Sequence, residues 1–348
     1  MMQGLSVIIC CHNGAARLPT TLAHLMAQTP PMTPWEVLLV DNASTDGTAA
    51  VAHSCWQNGP APLSVIAESR LGVRYARERG LAEARYPFLG FVDDDNWVAH
   101  DWVRAAHSVM ASDSSLGAVG SIRTPACEVS PPAWFANCHS LCAVLTDHEL
   151  EQSRQPLEYL PGAGLCVRKA AWEKLIQNGF RAHLTQGGED VELTRALQLN
   201  GWTLRIDQRL RLRHFISSHR LQWTYLRKLQ RSYSALDVLL DAYSQHSLSL
   251  EPGFRRWLSD RWWYQLGKIV RRIASRPTAL TAALLFAGEG RDDILEIEQQ
   301  LGRALGLLQF SKHYGEFRQE IRDAVWRGRL NYSQGRLEGT PDNIMSTI

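Results

Sequence analysis

Pro87-Phe88-Leu89-Gly90-Phe91-Val92-Asp93-Asp94-Asp95-Asn96-Trp97 is an apolar, aromatic run broken off by three consecutive carboxylates. Short apolar runs read as buried strands, and in open α/β sheets ligands bind beyond the carboxyl ends of the strands. Three adjacent acids repel one another unless a cation compensates them, and hard oxygen donors suit Mg²⁺ or Mn²⁺ holding a substrate phosphate. The same residues also make a solvated, Asp-rich turn capping a helix that starts near Trp97. This stretch alone leaves both readings open.

The pattern on either side favours the first. Leu5 to Cys11, Trp35 to Val40 and Leu63 to Ala67 are strand-like, and helical patterns fall between and after them near Leu18 to Ala27, Gly47 to Trp56 and Gly72 to Ala84. After Phe88 to Val92 come a helix over Asp101 to Met110 and a strand over Gly117 to Ile122. Such alternation predicts an α/β fold, a doubly wound and mostly parallel sheet with crossover helices. From Pro125 to Pro161 the pattern weakens into an irregular insertion of the kind that carries specificity. It returns with Pro161-Gly162-Ala163-Gly164-Leu165-Cys166-Val167, a helix over Ala170 to Gln177, the pair Glu189-Asp190 opening a helix to Asn200, and a last strand around Trp202 to Ile206. The expected organisation is an α/β domain over residues 1–216, a helical region over 217–330 and a loose polar tail over 331–348.

At 348 residues and 45% hydrophobic composition the chain can bury a large core. A formal charge of +2, with both signs interspersed, gives no support to a nucleic-acid partner. Seven scattered cysteines, several in apolar runs, point to a reducing compartment, so the cytoplasm is expected. Cys138 and Cys142 have helical spacing but no second pair at zinc-site spacing, and read as structural. The amino-terminal run lacks the basic residues and length of an export signal, and Ala279 to Ala287 falls far short of the roughly 20 residues of a membrane span.

Several segments place polar groups at strand ends. Leu5 to Cys11 ends in His12-Asn13-Gly14, and the second strand ends in Asp41-Asn42-Ala43-Ser44-Thr45-Asp46-Gly47-Thr48. A carboxylate such as Asp41 can accept from a base imide or ribose hydroxyls, whereas Asp46 reads equally as a turn residue. Arg77, within Gly72 to Gly80, offers a fork of donors to a diphosphate or a solvated helical face. Asp190 and Glu189 could answer the helix dipole, or take a proton from an attacking hydroxyl beside a cleft.

In combination, Leu5-Ser6-Val7-Ile8-Ile9-Cys10-Cys11-His12-Asn13, Val40 to Thr48, Gly72 to Gly80, Phe91-Val92-Asp93-Asp94-Asp95 and Gly188-Glu189-Asp190 resemble the family 2 inverting glycosyltransferases of GT-A fold, over about residues 4 to 215. The resemblance implies a nucleotide-sugar donor (UDP-, GDP- or dTDP-linked), Mg²⁺ or Mn²⁺, and a single displacement with inversion onto a glycan or lipid-linked glycan. By position it makes Asn13, Asp41, Asp93, Asp94 and Arg77 donor contacts, and Asp95, with Asp93, the metal carboxylates. His214 stands where some members bring a histidine to the metal or diphosphate. Asp190 becomes the general base with Glu189 its neighbour, and Gly162-Ala163-Gly164 the small-residue loop beside the sugar. Glu78 departs from an Asn common in the family, and the processive-synthase signature is absent, which favours transfer of one sugar.

Arg255 to Ile273 combines an apolar stripe (Leu258, Trp262, Leu266, Ile269, Ile273) with many cations. It reads either as a helix lying on an anionic membrane, with the protein at the inner face of the cell membrane and the contact made over residues 254–276, or as a bundle helix with a solvated basic face. Among competing classes, a nucleotidyltransferase lacks its Gly-rich basic loop after strand one and a dehydrogenase its G-x-G-x-x-G. A catalytically silent nucleotide-binding or scaffold subunit, docking partners through its basic helices, is the alternative from outside the enzymes.

Overall fold

The computed structural model describes residues 3–325 apart from 154–156, 185–186, 245–247, 249–251 and 286–287, and beyond them residues 327, 330, 331, 336 and 337. Most of the proposed tail therefore lies outside the described residues. One sheet holds eight strands: β1 (Leu5–Cys11), β2 (Trp35–Asn42), β3 (Leu63–Glu68), β4 (Phe88–Phe91), β5 (Asn96–Val98), β6 (Leu116–Cys127), β7 (Cys166–Arg168) and β8 (Thr203–Ile216). Their order is β3-β2-β1-β4-β7-β6-β8-β5.

The expected parallel pairing holds for β3-β2-β1-β4 and for β6 with β8. β7 runs antiparallel to β4 and β6, and β5 antiparallel to β8. Both are three residues long and entered from loops, so no crossover helix dictates their direction. Trp97 consequently lies in a strand, and the helix expected after the acids begins at Trp102.

Flanking the sheet are α1 (Leu18–Met26), α2 (Thr48–Cys55), α3 (Val73–Glu83), α4 (Trp102–Ser112), α5 (Phe135–Cys138), α6 (Asp147–Gln152), α7 (Lys169–Gln177) and α8 (Glu189–Leu199). β1 and β2 are apolar on both faces because each face is covered. Ile8, Leu38 and Val40 meet residues of α3, α7 and α8, while Val7, Ile9, Val37 and Leu39 meet Leu18, Leu22 and Leu25 of α1 and Trp102 and Val103 of α4.

The helical region comprises α9 (Trp223–Leu240), α10 (Phe254–Ser259), α11 (Trp262–Ala274), α12 (Pro277–Leu284), α13 (Asp292–Gln309) and α14 (Tyr314–Asp323). Its core is continuous with that of the α/β part, since Leu239, Leu240, Phe317 and Ile321 pack with Leu193 and Leu197. α9 is held close against α13: a Cβ on Gly302 would lie 2.2 Å from the Arg231 carbonyl, and one on Gly306 2.2 Å from that of Ala235. Fully buried Glu298 pairs with Arg227 at 2.6 Å and Arg231 at 2.5 Å across the same contact. In the insertion after β6, Trp134, Phe135 and Cys142 share a core with Trp223, Leu226 and Ile294.

The stretch read as one basic helix is two, α10 and α11. They part at Asp260, whose carboxylate is drawn to Arg318 and Arg322 of α14. The stripe Trp262, Leu266, Ile269 and Ile273 faces inward onto Val238 and Leu307, so those residues serve the bundle. No helix among the described residues is long and apolar enough to cross a membrane.

Candidate active site

A cavity of about 620 Å³ opens beyond the carboxyl ends of β1 and β4. Its lining brings together Asp93, Asp95, His214, Arg77, Glu189, Asp190 and the Pro161-Gly162-Ala163 loop. These come from five separate stretches of chain, and α9 closes one side with Tyr233, Leu236, Asp237 and Leu240.

The three acids take three different environments. Asp93 is half-buried in the cavity wall, and burial pushes its carboxyl up to about 6 against the pull of Arg77, with Asp95 and Asp94 adding to the rise. Asp94 also contributes to the lining, but its carboxylate is taken by Arg17 through Nε at 3.2 Å and Nη2 at 2.6 Å and accepts from the Cys11 thiol at 3.2 Å. It braces the β1–α1 loop. Asp95 accepts from Asn96 Nδ2 at 2.9 Å, and its Oδ2 lies 3.5 Å from His214 Nε2 and 3.4 Å from Arg220 Nη1. Burial works to raise the Asp95 carboxyl, but His214, Arg220 and Arg17 outweigh it and hold it below the usual range. β8 delivers His214 opposite Asn96 of β5, which explains the meeting of two residues distant in sequence.

Arg77 and Glu189 form a buried ion pair at 2.7 Å. Burial works against both charges: the Glu189 carboxyl is raised, while Glu189, Asp190 and Asp93 together keep Arg77 above its ordinary range. Asp190 is anchored instead by backbone, its Oδ2 accepting from Gly162 N at 2.5 Å and its Oδ1 from Val191 N at 2.9 Å. A carboxylate so held keeps unused lone pairs that can face the cavity. Gly162 is required by close approach, since a Cβ there would meet Arg77 Nη2 at 2.2 Å. Burial pushes the Cys10 thiol, also in the lining, up to about 12, which makes it a small apolar wall rather than a nucleophile.

Asp41, at the end of β2, and Asn13, just after β1, are not among this cavity's lining residues. Asp41 Oδ1 accepts from Ser44 N at 3.2 Å, and Asn13, with φ of 49°, accepts at Oδ1 from Thr45 N at 2.8 Å. Asp46 accepts from Ala15 N at 3.0 Å and Thr48 N at 3.1 Å, the turn role. Asn42, not singled out in the sequence, ties β2 to the turn before α3, donating to the Arg70 carbonyl at 2.7 Å and accepting from Gly72 N at 2.8 Å. Arg220, Tyr159, Tyr233 and Asp237 were also missed. They lie in an irregular loop, a short helical turn and the helical region, where no strand-end pattern marks them.

Residues 6–153 match the family model described as glycosyl transferase family 2. The chain carries a family 2 glycosyltransferase domain. The glycosyltransferase domain is 26% identical over 111 residues to the cholesterol galactosyltransferase of Borreliella burgdorferi, covering 32% of this chain and 30% of that protein. It is 30% identical over 107 residues to the glycosyltransferase AglE of Haloferax volcanii, covering 31% and 35%. The chain thus spans about a third of the length of these curated relatives. In fold it is similar to the mannosyltransferase PcManGT of Pyrobaculum calidifontis, solved with GDP-Man and Mn²⁺, at a TM-score of 0.56 and 16% identity, covering 90% of this chain and 88% of that one. The eight-stranded sheet with its flanking helices is a GT-A fold.

As to a metal, Asp95 supplies a hard carboxylate oxygen of the kind Mg²⁺ or Mn²⁺ takes, with the His214 imidazole nitrogen beside it. Among the described residues no three His, Cys, Asp or Glu groups converge as a ready cage. That fits Mg²⁺-type sites, which use one or two carboxylates and complete the shell with water and substrate phosphate.

Proposed function

We propose that this glycosyltransferase moves a single sugar from a nucleotide-diphosphate-sugar to a hydroxyl of a glycan or lipid-linked glycan, with inversion at the anomeric carbon. The observation that carries the reading is one cavity in which a metal-type pair, Asp95 and His214, shares walls with an anchored carboxylate, Asp190.

On this reading Asp190 takes the proton of the acceptor hydroxyl as its oxygen attacks the anomeric carbon. The bond from that carbon to the diphosphate oxygen breaks on the opposite side. Gly162 fixes the direction of the Asp190 carboxylate and leaves the backbone open to the sugar. Glu189 keeps Arg77 extended beneath the same loop, and Arg220, beside Asp95, is a second cation for the departing diphosphate. Asp41 and Asn13 receive the nucleoside. Asp95 and His214, with Asp93 behind them, would hold the divalent ion, which when bound supplies Lewis-acid stabilisation of the leaving nucleotide diphosphate.

The test is thermal unfolding of the purified protein with UDP, GDP, dTDP or CDP, each with and without Mn²⁺. A nucleotide at one hundred times its dissociation constant stabilises by about 2.7 kcal/mol. A rise in Tm with one nucleotide, dependent on Mn²⁺, is expected. No rise with any nucleotide would favour a catalytically silent scaffold subunit instead.

A further inference from the structure

With the stripe Trp262, Leu266, Ile269 and Ile273 turned into the bundle, the opposite face of α11 is left to solvent. Helical spacing puts Trp263, Gly267, Val270 and Ala274 in one outward row, with Tyr264, Lys268 and Arg271 alongside. α10 adds Phe254 and Trp257, which stack at 5.8 Å, and Trp257 meets Trp263 edge-on at 6.3 Å. Phe254, Trp257, Trp263, Tyr264 and Val270 are between 37% and 72% exposed, a concentration of large apolar surface within two short helices.

Charge on these two helices is nearly all positive. From 252 to 285 the chain carries Arg255, Arg256, Arg261, Lys268, Arg271, Arg272 and Arg276 against Asp260 alone. Asp260 is taken by Arg318 and Arg322, and Arg276 is answered by Glu296. Arg261 lies 4.8 Å over the Trp257 ring and Lys268 5.6 Å over that of Tyr264, so cations and aromatic rings alternate at one level. Trp257, Arg261 and Trp263 also border a groove whose other wall, α14, carries Glu316, Glu320 and Asp323, which confines a negatively charged partner to the outer side of α10 and α11.

We infer that the α10–α11 face binds the surface of an anionic lipid bilayer, with Trp257, Trp263 and Tyr264 at headgroup depth and Lys268, Arg271 and Arg272 on the lipid phosphates. Aromatic residues that are apolar at one end and polar at the other settle at that interface, and basic residues are drawn to anionic leaflets. Protein interfaces also favour Trp, Tyr and Arg, so the dependence of binding on anionic lipid is what separates a bilayer from a protein partner. The inference stands whether or not the cavity transfers a sugar.

Gly267 gives a test that spares the fold. A Cβ there meets nothing within 4 Å, and replacing a mid-helix glycine favours the helix. The full-length protein is floated with phosphatidylcholine vesicles with and without phosphatidylglycerol, at low salt and at 1 M salt, where the Debye length is about 3 Å. Binding to the phosphatidylglycerol vesicles at low salt, lost at 1 M salt, is expected. Gly267→Glu should lower that binding about fivefold, the worth of one charge near the surface, and Trp263→Ser should lower it further, while Gly267→Glu unfolds no earlier than the wild type. Absence of binding to phosphatidylglycerol vesicles, binding that Gly267→Glu leaves unchanged, or a self-association that Gly267→Glu abolishes would each overturn the inference, the last by showing a second copy to be the occupant.

Discussion

Replacing Glu189 by Gln should reveal how much the cavity floor depends on one buried ion pair. Arg77 and Glu189 meet at 2.7 Å with side chains 11% and 8% exposed, so neither is screened by water. Removing one member of such a pair leaves a buried, uncompensated charge and costs roughly 3–5 kcal/mol. Asp93 and Asp190 also favour the Arg77 charge, which places the expected loss at the lower end, about 3 kcal/mol. Unfolding entropy of roughly 2.1 cal/mol/K per residue, taken over 348 residues, makes that a fall in Tm of about 4 °C. The assay is thermal unfolding followed by circular dichroism, at low and high salt. The fall should persist in high salt, since added ions screen buried pairs far less than exposed ones. A Tm within about 1 °C of the wild type would mean the pair is worth no more than a surface salt bridge, and the account of the cavity floor would be wrong.

Three further outcomes are expected. Gly162→Ala should reduce transfer strongly, because the new Cβ would stand 2.2 Å from Arg77 Nη2 and displace both Arg77 and the amide that holds Asp190; steady-state kinetics check this, and wild-type turnover would refute it. His183, between Glu192 at 3.0 Å and Glu320 at 3.4 Å, is partly buried, which lowers its pKa, but the two carboxylates prevail and raise it. Its contribution to stability is therefore complete below the unfolded value of about 6.5 and fades as pH rises through the higher folded value, so denaturant titrations at pH 6 and pH 8 should differ less for His183→Gln than for the wild type. Gly306→Val should unfold the helical packing that carries α9, since its Cβ would lie 2.2 Å from the Ala235 carbonyl; an unchanged Tm would show that α9 does not depend on that contact.

Much of the fold was legible because the strands that matter are continuous apolar runs. Leu5 to Cys11 could be read to the residue, since a strand covered on both faces shows no polar interruption. β8 was read as ending at Ile206 yet continues to Ile216. Polar Asp207-Gln208-Arg209 sits where the pairing with β6 shifts register, and beyond it Leu210, Leu212 and His214 alternate buried with exposed Arg209, Arg211 and Arg213, a period-two pattern that would have extended the strand.

The site was legible where acids end strands and illegible where side chains arrive from elsewhere. Nothing local distinguishes Asp94, clamped by Arg17, from Asp95, which meets His214 and Arg220, because the difference lies in partners brought from distant parts of the chain. Arg77 was legible as a cation near the cavity, but its partner lies 112 positions away. Tyr233 and Asp237 reach the cavity only through the packing of α9 on α13. The stripe on α11 was legible as amphipathic, yet a helix wheel cannot say which face meets the protein.

The most direct test of the central claim is Asp190→Asn, assayed for sugar transfer and, in parallel, for the Tm rise produced by the stabilising nucleotide with Mn²⁺. A general base contributes about 10²–10⁴-fold, so transfer should fall by that factor while the nucleotide-induced rise stays at its wild-type size. Transfer at the wild-type rate would contradict the assignment of Asp190 as the group that takes the acceptor's proton.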